Sequence, residues 1–197
     1  MKIAIISPTF PPYAGGIGNV AYENAKELAR IGHEITVFTP LYKPVDEETI
    51  AGISVKRIKP LIKYGNAAFL PALAFKLKGF DVIHLHYPFL GGAEVVWLYK
   101  LKLKNQNSKI VLHYHMDLVG RTVFRPVFKF HNTFILPRAL KMADKIIVTS
   151  LDYAASSNIT PWLNSQSDKF LEIPNGVDID HFSPAGKNSA LLNKYGI

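Results

Sequence analysis

Residues 2–32 read KIAIISPTFPPYAGGIGNVAYENAKELARIG, and this stretch decides the fold. KIAIIS at 2–7 is a short apolar, β-branched run cut off by Pro8, the pattern of a strand buried on both faces. From Ile17 to Ile31 the apolar residues Ile17, Val20, Ala21, Leu28 and Ile31 fall at helical spacing, and Gly32 stands just beyond as a C-cap. A buried strand therefore feeds an amphipathic helix. The loop joining them, Ser7 to Gly16, runs to ten residues, where such a turn needs about 2–6.

Working outward, the same alternation continues. Strands are predicted at Glu34–Thr39, Ile53–Ile58, Asp81–His86, Lys109–Tyr114, Lys145–Thr149 and Phe170–Ile173, with an acidic loop around Asp46, Glu47 and Glu48. Helices are predicted at Asn66–Leu77, from Gly91 and Gly92 through Lys104, over Thr122–Ala143 and over Leu151–Leu163. Apolar strands separated by helices give an α/β, doubly wound, mostly parallel sheet with helices on both faces. Ligands of such sheets sit at the carboxyl ends of the strands, so the loops after Ile6, His86, Tyr114, Thr149 and Ile173 should line a site.

At 197 residues, 48% hydrophobic and 19% charged, the chain is globular and long enough for a core that needs no staple. It has no cysteine, which excludes zinc fingers, iron–sulfur ligation, thiol catalysis and disulfide scaffolds. No run of eighteen apolar residues and no secretory leader is read, so the expected location is cytoplasmic. The net charge of +8 is local: Lys100 to Lys145 holds ten basic and two acidic residues, leaving 13 of each elsewhere. That stretch points to an anionic partner, either a phosphate ligand or a membrane surface, or to a solvated helix face. No recognition helix or RNA-stacking motif accompanies it, so no nucleic acid partner is expected.

In the long loop, Pro8, Pro11 and Pro12 stiffen the backbone, while Gly15 and Gly16 let main-chain N–H groups approach a ligand at the positive end of the following helix. Gly16, Gly18 and Ala21 satisfy G-x-G-x-x-A, but late after the strand and with Thr39-Pro40 where a dinucleotide fold needs an acidic residue. His84 and His86 end one strand, and His113 and His115 end the next, with Asp117 beyond. Residues i and i+2 share a strand face, so either pair could hold zinc or iron and a metallohydrolase is a rival reading. A non-catalytic phosphate- or sugar-binding module is another.

Six segments, in order, resemble the N-terminal domain of the family 4 retaining glycosyltransferases, which have the two-domain GT-B fold. They are PPYAGGIGNV at 11–20, RIGHEITVFTP at 30–40, DVIHLHYP at 81–88, VLHYHMD at 111–117, ALKMADKIIVTS at 139–150 and IPNGVDIDHFSP at 173–184. The resemblance implies transfer of a sugar from a nucleoside diphosphate donor to an acceptor hydroxyl, sugar or lipid-linked, with retention and with no metal or other cofactor. It implies that Gly15 and Gly16 approach the donor phosphates and the acceptor, and that His115 lies beside the donor sugar as the catalytic position. His113 stands where the family often has threonine. With the strand-end loops, it gives a cleft lined by Tyr13, His86, Asp117, Ser150, Asn175 and Gly176.

The family's second domain supplies a basic pair for the diphosphate and a glutamate pair eight residues apart, and neither is found here. Residues 1–180 are thus expected to be the acceptor-side domain and 181–197 the start of a linker to a donor-binding domain. The 197 residues are expected to fold without turning over donor alone. Arg121, Arg125 and Lys129 fall at four-residue spacing on one helix face, near Phe124, Phe128 and Phe134. They are the candidate peripheral contact with the inner face of a membrane.

Overall fold

KIAII (β1, Lys2–Ile6) is an apolar run because it is the middle of a sheet, covered on both faces. A computed structural model describes residues 1–13, 15–42, 47–102, 107–120, 123–177, 179, 182, 186 and 189–196. After β1 come α1 (Gly16–Arg30), β2 (Glu34–Pro40), β3 (Glu47–Ile50), β4 (Ile53–Ile58), β5 (Ile62–Tyr64) and β6 (Ala67–Phe69). There follow β7 (Val82–Tyr87), α2 (Gly92–Lys102), β8 (Lys109–Tyr114), α3 (Arg125–Phe130), α4 (Leu136–Met142) and β9 (Lys145–Val148). The last elements are α5 (Leu151–Ala155), α6 (Thr160–Ser165), β10 (Phe170–Glu172) and α7 (Ser189–Tyr195).

Eight strands form one sheet in the order β10-β9-β8-β7-β1-β2-β4-β3, parallel throughout except β3, which runs antiparallel to β4. The chain builds outward from β1 through β2 and β4, then returns to β7 on the other side of β1 and builds outward again. The order reverses between β1 and β7, which opens a crevice beyond their carboxyl ends. Strand alternation sends Ala4, Ile6, Ile83, Leu85, Tyr87, Leu112 and Tyr114 to one face, where Val96, Leu136 and Leu140 from the helices close the larger core. Ile3, Ile5, Ile35, Val37, Ile53 and Val55 go to the other, under Ala21 and Ala25 of α1.

The strands, the first helix and the fold class match the sequence reading, and several local expectations do not. Asn66–Leu77 is not a helix. Ala67–Phe69 pairs antiparallel with Ile62–Tyr64, and Pro71–Phe75 is a single 3-10 turn. Pro71 lacks the N–H a helix needs and biases Leu70 away from helical angles. Leu70, Leu73 and Leu77 are buried all the same. The acidic loop is in part strand β3; Asp46 lies outside the described residues. The segment from Leu151 breaks into α5 and α6, because Ser157 and Thr160 hydroxyls bond Ala154 and Ser157 carbonyls and Pro161 restarts the helix. From Arg125 to Met142 the helix is interrupted by a π turn at His131–Ile135; Thr122 and Lys104 lie outside the described residues. Of 181–197, the described part is residues 182, 186 and 189–196, with the short α7 burying none of its residues.

Candidate functional site

The loop after β1 is anchored from its neighbours before it reaches α1. Ser7 Oγ donates to the Thr9 carbonyl at 2.7 Å, and Tyr42 OH donates to the Pro8 carbonyl at 2.6 Å. Arg57 of β4, nearly buried, donates Nη2 to the Pro11 carbonyl at 2.5 Å while its guanidinium also pairs with Glu48. Tyr13 stacks on Tyr42 with centroids 4.7 Å apart and donates to Asn66 Oδ1 at 3.1 Å; Lys63 Nζ sits 3.9 Å over the Tyr42 ring. Burial, then the Tyr13 phenol, pushes Tyr42 up to about 12. Sequence reasoning reached Tyr13 but missed Tyr42, Lys63, Asn66 and Arg57, which nothing in the local sequence distinguishes from ordinary surface residues.

Gly15 caps α1 in an extended conformation and Gly16 opens the helix. Gly16 is exposed, and a Cβ on it would meet nothing within 4 Å among the described residues. A Cβ on Gly18 would lie 2.7 Å from Thr9 Oγ1 and 2.9 Å from the Thr9 backbone. The two glycines of the G-x-G pattern thus do different work: one bares main chain, the other seats the helix on the loop.

At the ends of β7 and β8, His84, His86 and His113 share one sheet face and stack, and His115, just past β8, stacks on His86 and His113. Ring centroids are 4.6 Å apart for His84 and His86, 5.0 Å for His86 and His113, and 4.1 Å for His113 and His115. His86 Nδ1 and His115 Nε2 are hydrogen-bonded at 2.9 Å, and His115 N donates to the Tyr87 carbonyl. Burial first, then the neighbouring rings, lowers His84 and His115 to about 3 and His86 well below its usual value; burial lowers His113 to about 4. All four are neutral at pH 7. His115 therefore enters as a neutral imidazole, a hydrogen-bonding group rather than a fixed cation.

The Asp117 carboxylate accepts from Tyr114 OH and from Asn158 N at 3.0 Å, and its own N–H donates to Tyr153 OH at 2.7 Å. It ties the β8 loop to the α5–α6 segment. Ser150 caps α5, its Oγ accepting from Tyr153 N at 3.3 Å. Asn175 lines a groove of 340 Å³ with His84, His113 and α1 residues Asn24 and Glu27, and Gly176 lines an adjoining one with Glu23 and Arg30. Arg125 and Lys129 are exposed on α3, beside Val127 at 49% and Phe130 at 57% exposure. Arg121 lies outside the described residues. Among the described residues no helix is long and apolar enough to cross a membrane.

A mostly parallel sheet reversing at β1/β7, with a long glycine loop at the reversal, is a Rossmann-like domain, and its likeness to solved structures makes it one half of a GT-B glycosyltransferase fold. The catalytic domain of starch synthase IV from Arabidopsis thaliana, bound to ADP and acarbose, is similar with TM-score 0.67 and 18% identity over 94% of this chain and 53% of that one. Sucrose-phosphate synthase from Thermosynechococcus elongatus gives 0.72 and 20% over 100% and 52%. The model described as Glycosyltransferase Family 4 matches residues 14–181, and the chain belongs to that family. Phosphatidyl-myo-inositol mannosyltransferases of Mycobacterium tuberculosis and Mycolicibacterium smegmatis are both 26% identical to it, over 95% and 94% of this chain. The chain spans about half the length of these relatives, 48% and 46%.

Proposed function

We propose that this domain is the acceptor-side half of a retaining glycosyltransferase that moves a sugar from a nucleoside diphosphate sugar to an acceptor hydroxyl. The observation that carries the reading is Gly16, exposed at the head of the 15-residue α1, at the crevice where strand order reverses. As the glycosidic bond breaks, negative charge gathers on the leaving diphosphate, and main-chain N–H groups at a helix head stabilise it. His115, neutral and held by His86, hydrogen-bonds the sugar beside them. The reading gives the transfer step itself no metal. Turnover needs a donor-binding domain in addition to these residues, with 181–197 leading to it, and the solved relative bound to ADP is in keeping with a nucleotide donor.

The acceptor is read as lipid-linked, because α3 presents Arg125 and Lys129 among exposed Val123, Val127, Phe130 and Phe134. That combination suits docking on an anionic membrane from its cytoplasmic side. The mannosyltransferase relatives are named for an inositol lipid. The central experiment joins residues 1–197 to the donor-binding half of a family relative and measures donor consumption and sugar transfer. Activity is expected to fall at least a hundredfold in His115→Ala. Full activity in that variant, or no donor binding by the joined protein, would remove the assignment.

A further inference from the structure

On the α1 face of the sheet the row of Ile3, Ile5, Ile35 and Val37 gives way at β7 and β8 to His84, His86 and His113, which are 6%, 0% and 3% exposed. Hydrocarbon is the ordinary filling of such a surface, and buried imidazoles there require partners. His84 Nε2, His86 Nε2 and both ring nitrogens of His113 are buried and meet no hydrogen-bond partner among the described residues. One nitrogen from each ring lies within 4.8 Å of the other two. We propose that His84, His86 and His113 bind a divalent late transition-metal ion such as Zn²⁺, which ties β7 to β8 and does not itself touch the transferred sugar.

The donor set selects the ion. Three imidazoles with no carboxylate among them suit zinc, nickel or copper and not the oxygen-seeking magnesium or calcium. Burial keeps the rings in their neutral, ligating form. Zinc–nitrogen bonds of about 2.0–2.1 Å place tetrahedral ligand atoms about 3.4 Å apart. The triad closes to that spacing by turning about χ2, a soft torsion in histidine. In turning, His84 and His113 leave the nearly parallel stack they now form, 5.6 Å apart and 5° between planes. An ion reaches them through the groove beside α1, which both rings line, and water entering there fills the remaining positions. With His86 Nε2 on the ion, its Nδ1 keeps the proton and donates to His115 Nε2, the outer partner that metal-bound histidines usually have.

The test titrates the chelator-stripped 197-residue chain with Zn²⁺ at pH 7.5, reading occupancy by competition with a chromophoric chelator and ring shifts by imidazole ¹⁵N NMR. One ion per chain is expected, moving the His84, His86 and His113 signals and leaving His33 in place, while Mg²⁺ moves none of them. His84→Gln and His113→Gln should each weaken zinc at least tenfold, and His33→Gln should not. Absence of saturable zinc binding, zinc bound with the triad signals unmoved, or unchanged affinity in folded variants would overturn the proposal. If a variant fails to fold, the ring shifts of the unsubstituted chain decide. Zinc occupancy is read without any transferase assay, so the result is independent of the function proposed above.

Discussion

Gly16 and Gly18 are two residues apart and answer different questions. An added methyl at Gly18 has Thr9 backbone 2.9 Å away and cannot be relieved by a side-chain rotation, so Gly18→Ala should destabilise by about 1–3 kcal/mol. Gly16→Ala meets open space and should leave stability within about 0.5 kcal/mol, while lowering transfer in the joined enzyme by crowding the diphosphate. Urea midpoints of both variants check the pair; equal losses would contradict it. The histidines carry a pH signature. His84, His113, His115 and His131 have folded values of about 3 to 4 against 6.5 when unfolded, so the unfolded chain binds more protons as pH falls. Stability is therefore complete above pH 6.5 and is lost below it, by roughly 1 kcal/mol per ring at pH 5.5. Urea titrations with chelator at pH 7.5, 6.5 and 5.5 measure this, and a midpoint flat across the range would refute it.

The strands were legible in the sequence because each is an uninterrupted apolar run between turn residues, and buried parallel strands leave that mark. What eluded the reading was local conformation. Leu70, Leu73 and Leu77 are buried, but the chain delivers them through a hairpin and a 3-10 turn rather than the helix expected over Asn66–Leu77. Strand β3 escaped because its pairing is stabilised by Arg57, a contact made across strands. Removing the carboxylate in Glu48→Ala leaves the Arg57 guanidinium buried with, among the described residues, the Pro11 carbonyl as its hydrogen-bond partner. The expected cost is about 3 kcal/mol, with loosening of the β1 loop visible as faster amide exchange at Tyr13. For α3, each surface cation near an anionic leaflet contributes about 1 kcal/mol. Arg125→Glu with Lys129→Glu should then cut sedimentation with phosphatidylserine vesicles at least tenfold, and an unchanged bound fraction would exclude this helix as the contact.

Across the whole molecule, the class of protein could be read from six short segments because they mark strand ends and loops, where a doubly wound sheet keeps its chemistry. The site could not be completed that way. Tyr42, Lys63, Asn66 and Arg57 come to the β1 loop from separate elements, and the meeting of His84 with His113 depends on the β7–β8 register. The function proposed above sets the expected behaviour: residues 1–197 alone should show no donor hydrolysis, and joining a donor-binding half should confer it. Turnover by the chain alone would contradict the division of labour.

The alternation that gathers the imidazoles has a consequence for assembly. Ile83 and Leu85 face one side of β7 and His84 and His86 the other, with Leu112 and His113 following suit on β8. If β8 docked one position out of step, its histidine would be thrust among leucines and its leucine turned toward the groove. Such a mispaired sheet bears a heavy penalty on both sides at once, so the polar row proofreads the alignment of the strands as the sheet forms.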